Sequence, residues 1–111
     1  QQIIAEKMAE SELQNNIIDA AQKLGWRIHA ERPAMNQGDK YSVPIQGDKG
    51  FPDLILIKGH TIFAWELKSM KGKLTSEQEE WLRYFARAGC RIGIIRPHDW
   101  LNGKIEEELN L

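Results

Sequence analysis

The sequence predicts an α/β fold, one mixed sheet flanked by helices, and three observations predict it. Two stretches, one near the start and one past the middle, carry apolar residues at helical spacing and run out at a glycine. Between them lie two β-rich runs, Asp53–Lys58 and Thr61–Lys68, separated only by Gly59-His60. A further apolar run, Arg91–Ile95, follows the second helix, giving the order αβββαβ once Trp26–Ala30 is read as a strand.

The first helix rests on Leu13, Ile17, Ala20, Ala21 and Leu24, with Gly25 where a left-handed cap belongs, so it spans from about Glu6 or Ser11 to Leu24. Trp26–Ala30 reads as a short strand leaving it. From Arg32 to Gly50 the periodicity stops. Two copies of Gln-Gly-Asp-Lys, at Gln37–Lys40 and Gln46–Lys49, are too short for a repeat architecture and read as turns. A loop this long inside a compact domain usually covers a site or grips a ligand.

Asp53–Lys58 and Thr61–Lys68 are apolar on both faces, the pattern of central strands covered from each side. Thr75-Ser76-Glu77-Gln78 has capping-box form, and Trp81, Leu82 and Phe85 continue the helical stripe until Gly89. Arg91–Ile95 is the last strand, and the tail from His98 to Leu111 reads as helical. In that tail Trp100, Leu101, Ile105, Leu109 and Leu111 form an apolar stripe, which either packs on its own domain or, if exposed, marks an interface.

A chain of 111 residues with 41% hydrophobic content reads as one domain over 1–111. Its one cysteine, Cys90, cannot form an internal disulfide and reads as a small core residue in a reducing compartment. No apolar run approaches the roughly 20 residues of a membrane span, and no signal-peptide pattern opens the chain, so a soluble cytoplasmic protein is expected. No glycine-rich phosphate loop is present, so no nucleotide cofactor is expected. His29, His60 and His98 lack ligand spacing and read as surface or turn residues. The net charge of −1 is unevenly spread: residues 23–104 hold fourteen of the fifteen Lys and Arg but nine of the sixteen acids. A basic middle of this kind can meet a phosphate backbone.

Charged residues interrupt the two central strands. Asp53 opens the first; Glu66 and Lys68 close the second and, by strand alternation, share a face about 7 Å apart. If the hairpin turns at Gly59-His60, opposed residue numbers sum to roughly 119, which sets Asp53 against Glu66 with Cβ atoms ~4.5–5.5 Å apart. Two carboxylates so placed repel unless a cation lies between them, and hard oxygen ligands suit Mg²⁺, with Mn²⁺ as a substitute. The Lys68 ammonium would face the same pocket, able to hold a water and to neutralise charge building on a phosphate oxygen.

Gly50-Phe51-Pro52-Asp53-Leu54, Trp65-Glu66-Leu67-Lys68 and Gly72-Lys73-Leu74-Thr75-Ser76-Glu77-Gln78-Glu79-Glu80-Trp81 resemble the virus-type replication-repair nuclease (VRR-NUC) branch of the PD-(D/E)xK nucleases, from about Glu10 to Arg96. The resemblance implies a restriction-endonuclease-like core and a Mg²⁺-dependent DNA endonuclease. It makes Asp53 and Glu66 metal ligands, the Leu67 carbonyl a further ligand, Lys68 the catalytic lysine and Gln78 a site residue. The family also has an acid on its first helix; Glu10, on the stripe of Leu13, Gln14 and Ile17, is chosen over Glu12, which lies with Asn16 and Asp19. Gln78 can equally be the polar half of the capping box. Lys71 and Lys73, just past the catalytic strand, together with Arg32 and Lys49, are candidate DNA contacts. Stand-alone relatives being junction resolvases, the resemblance points to branched DNA such as a four-way junction, cut by a homodimer with two symmetric sites, in a bacterial or phage-infected cell. Two alternatives stand beside it: a sequence-specific restriction-like endonuclease, and a non-catalytic DNA-binding module on the same fold.

Overall fold

The structure, a computed structural model, describes residues 2–31, 35–36, 39–40 and 45–111. Its centre is a four-stranded mixed sheet in the order β1-β4-β5-β6. Strand β1 (Arg27–Ala30) pairs antiparallel with β4 (Leu54–Lys58), β4 pairs antiparallel with β5 (Thr61–Leu67), and β5 runs parallel to β6 (Arg91–Ile95). The two runs that are apolar on both faces are the two central strands, as expected of strands with neighbours on each side. Met35–Asn36 (β2) and Asp39–Lys40 (β3) pair antiparallel as a separate two-stranded sheet inside the segment read as loop. Of the first Gln-Gly-Asp-Lys copy, Asp39 and Lys40 lie in β3 and Gln37-Gly38 lie outside the described residues; the second copy bends, with Gly47 at a φ of 103°.

The first helix is two helices, α1 (Gln2–Lys7) and α2 (Glu10–Lys23), parted at Met8-Ala9. No Pro or Gly marks that break. At its other end α2 stops where the sequence predicts: Gly25 takes a φ of 89°, and the Trp26 N–H returns to the Ala21 carbonyl. Helix α3 (Ser76–Arg87) starts in a complete capping box, the Gln78 N–H donating to Thr75 Oγ1 and the Thr75 N–H to Gln78 Oε1. It packs against β5 and β6.

One side of the sheet carries the main core. Leu54, Leu56, Phe63, Trp65 and Leu67 project toward Leu13, Ile17 and Ala21 of α2, and a stack of Trp26, Phe63 and Trp65 runs through it with centroids 4.9 and 4.7 Å apart. The tail forms α4 (Pro97–Leu101) and α5 (Lys104–Leu109), and of the two readings of its apolar stripe the structure shows packing on its own domain. Ile105 and Leu109 are fully buried in this same core, Trp100 and Leu101 pack against it, and Trp26 Nε1 donates to the Leu109 carbonyl at 2.9 Å. Only Leu111 of that stripe is exposed. The tail completes its own domain by packing on α2 and Trp26, which takes its apolar residues out of water.

Candidate active site

The β4–β5 ladder pairs Lys58 with Thr61 through to Leu54 with Trp65, every pair summing to 119, so the next step sets Asp53 against Glu66. The segment leading to Asp53 is fixed from α3. Phe51 meets Trp81 and Phe85 edge-on at 5.0 and 5.7 Å, and Trp81 Nε1 donates to the Lys49 carbonyl at 3.0 Å. Gly50 has a φ of 98°, and a Cβ there would fall 2.7 Å from the Glu77 carbonyl carbon, so the chain can pass this close to α3 only as glycine. Asp53 itself is oriented by the Leu67 N–H, which donates to Oδ2 at 2.8 Å, while its own carbonyl accepts from the Glu31 N–H on the β1 side.

Glu66, the second-to-last residue of β5, is only 2% exposed, and its Oε1 is buried with no hydrogen-bond partner. Burial pushes its carboxyl up to about 8, with the Asp53 charge, the hydrogen bond between the two side chains and the Glu10 charge adding to the rise, against the pull of Lys68. Asp53 is raised for the same first reason, burial, and Glu10 raises it further. The Leu67 N–H, the Glu66 side chain and Lys68 hold it down. The pair therefore shares a proton wherever no cation compensates it. Such an arrangement is expensive in a sheet and is characteristic of a site.

Glu10, at the first turn of α2, reaches the same end of the sheet: Oε2 accepts from the Ser69 N–H at 3.1 Å. Glu12 is exposed, on the side of the helix that bears Asp19. Gln14, one turn on from Glu10, is buried. Lys68 is half-buried just beyond β5, its N–H donating to the Ile95 carbonyl of β6. Gln78 sits in the capping box described above, which fixes the start of α3 behind Gly50. Lys49, Lys71 and Lys73 are exposed; Arg32 lies outside the described residues. His29, His60 and His98 are exposed as expected, and Cys90 is half-buried and free.

The donors fit a hard divalent cation. They are oxygens only, one of them buried without a partner, and Mg²⁺ characteristically takes one or two carboxylates and completes its shell with waters and phosphate oxygens. Among the described residues no group of three or more Asp, Glu, His or Cys side chains is placed to hold a metal ion together; Asp53 and Glu66 are a pair.

One residue beside this site was not anticipated from sequence. Arg96, directly after β6, donates from Nη1 to the carbonyls of Ser69 at 2.6 Å, Gly72 at 2.8 Å and Met70 at 3.4 Å. The register of the parallel pair, Leu67 beside Ile95, brings it there, and a parallel register has no turn from which it could be read.

The family model for the VRR-NUC domain matches residues 1–99 of this chain. A solved structure described as a VRR-NUC domain superposes with a TM-score of 0.60 at 20% identity, covering 87% of this chain and 94% of that one; at that identity the likeness establishes the fold. Among curated proteins, none matches the chain significantly.

Proposed function

Because this chain belongs to the VRR-NUC nuclease family, we propose that it is a metal-dependent DNA endonuclease, acting on branched DNA such as a four-way junction, in the cytoplasm of a bacterial or phage-infected cell. The observation that carries the reading is Glu66, buried beside Asp53 with one oxygen unpartnered. Asp53 and Glu66, with the Leu67 carbonyl and Glu10 adjoining, would hold Mg²⁺ or Mn²⁺. Bound there, the ion would supply an activated water and shield the charge that develops on the scissile phosphate.

The protein's own groups do the rest. The Leu67 N–H keeps Asp53 in one orientation, so that no side-chain search precedes reaction. The Lys68 ammonium positions the attacking water and offsets negative charge on a phosphate oxygen, a contribution greatest in the transition state. Lys71 and Lys73, exposed on the segment after β5, neutralise phosphates flanking the scissile bond, and Lys49 extends that surface.

Each chain offers one such cluster, and resolving a junction needs two cuts, so a C₂ homodimer fits the reaction. Ile92 and Ile94, both 42% exposed on edge strand β6, are apolar surface that supports such a pairing. Cleavage of a panel of duplex, nicked, flapped and four-way DNA, with Mg²⁺ and with EDTA, tests the reading. Mg²⁺-dependent cutting that favours the four-way substrate is expected; binding with no cleavage in any cation would instead mark a non-catalytic DNA-binding module. Light scattering should give twice the chain mass of 12.8 kDa.

A further inference from the structure

We infer that Arg96 is a positioning residue for Lys68 and acts through the turn at Ser69–Gly72, an inference that rests on the nuclease reading above. Lys68 is followed at once by this turn, in which the Gly72 N–H donates to the Ser69 carbonyl at 3.2 Å. The turn is gripped from two sides. Glu10 of α2 takes the Ser69 N–H at 3.1 Å, and the Arg96 guanidinium takes three carbonyls of the same segment.

Arg96 is itself fixed. Its own N–H donates to the Asp99 carboxylate at 2.9 Å at the start of α4, and it continues β6, whose Ile95 carbonyl accepts from the Lys68 N–H. A charged donor spread over carbonyls gives stronger hydrogen bonds than a neutral one, so the turn has little freedom to leave.

The consequence falls on Lys68 through Gly72. A Cβ built on Gly72 would stand 3.1 Å from Ser69 Oγ and 3.4 Å from Lys68 Cδ, so the Gly72 backbone lies along the aliphatic stem of Lys68. A lysine stem is flexible and its ammonium is a point charge, so its value in a transition state depends on what confines the stem. Arg96 holds Gly72 against that stem. It touches neither phosphate nor water in this scheme.

The test combines metal-free hydrogen exchange with kinetics on the full chain. Arg96→Ala should speed exchange of the Ser69 and Gly72 amides at least tenfold while α2 and β5 stay protected. On DNA with Mg²⁺ it should lower kcat by about 10–100-fold, the range a small misplacement costs, and leave KM within threefold. Combined with Lys68→Ala, it should cause little further loss, because both act on one group. Gly72→Ala, which removes no hydrogen bond, should also lower kcat rather than raise KM, and it decides the matter if Arg96→Ala does not fold. The inference is overturned if the turn amides exchange as before in an active nuclease, if KM rises while kcat holds, or if the Arg96 and Lys68 losses multiply. A wild-type protein that cuts no DNA would defeat the nuclease reading itself, and with it the role of Lys68.

Discussion

The β4–β5 hairpin buries apolar side chains on one face and a carboxyl on the other, and the two pull stability in opposite directions. On one face Leu54, Leu56, Phe63 and Trp65 are each at most 2% exposed, packed against α2 and the tail helices with no buried side-chain nitrogen or oxygen left without a partner. On the other, Glu66 is just as inaccessible at 2%, yet it carries a carboxyl with an unpartnered oxygen beside a second carboxyl. Burial stabilises the first face by the hydrophobic effect and costs free energy on the second. The comparison teaches that accessibility alone does not say whether a residue serves the fold. What distinguishes the two faces is whether every buried polar group finds a partner within the protein.

The largest effects should separate the faces cleanly. Lys68→Ala should lower cleavage by about 10²–10³-fold or more, the scale of losing one preorganised charge, while the melting temperature stays close to wild type. If that variant cut normally, the polar face would not be the site. Phe63→Ala should do the reverse, destabilising the protein by about 3–5 kcal/mol in denaturant titration because Phe63 lies between Trp26 and Trp65 in the core stack. Cleavage per folded molecule should persist in conditions where that variant remains native.

Much of this division was legible in the sequence. The hairpin announced itself by Gly59-His60 between two β-rich runs, and from that turn alone the opposition of Asp53 and Glu66 followed. Thr75 and Gln78 gave the start of α3 in the same way, since a capping box is written within four residues. Relations between distant segments were not legible. The stripe of Ile105 and Leu109 shows an apolar face but not whose surface it meets, and it meets the core of its own domain. The Arg96 contacts span 24 to 27 residues and end on carbonyls, which leave no trace in side-chain pattern. Nor does the parting of α1 from α2 at Met8-Ala9, where neither residue is a helix breaker. The Glu10 carboxylate lies just past the end of β5, where it accepts from the Ser69 N–H.

A smaller effect sharpens the polar face further. Lys71→Ala with Lys73→Ala should weaken DNA binding across all sequences and reduce the slope of log affinity against log salt by about 1–2, measured in Ca²⁺. The cleavage rate at saturating DNA should change little. A loss confined to the rate would move these lysines into the catalytic step.

The pair's effect on stability can be measured directly as melting temperature against pH. With its folded-state carboxyl raised to about 8, Glu66 holds its proton more tightly in the folded protein than in the unfolded chain. Its contribution is therefore fully present below the ordinary glutamate range and lost as pH rises through about 8. In chelator, the wild-type melting temperature should fall between about pH 5 and pH 8.5. Glu66→Gln, with nothing to ionise, should lose much of that slope and be more stable than wild type at pH 8.5 by about 1–3 kcal/mol. Adding Mg²⁺ or Mn²⁺ at that pH should raise the wild-type melting temperature by roughly 4 °C or more and leave the variant nearly unmoved. Parallel pH curves for the two proteins, with equal response to the cation, would contradict the account.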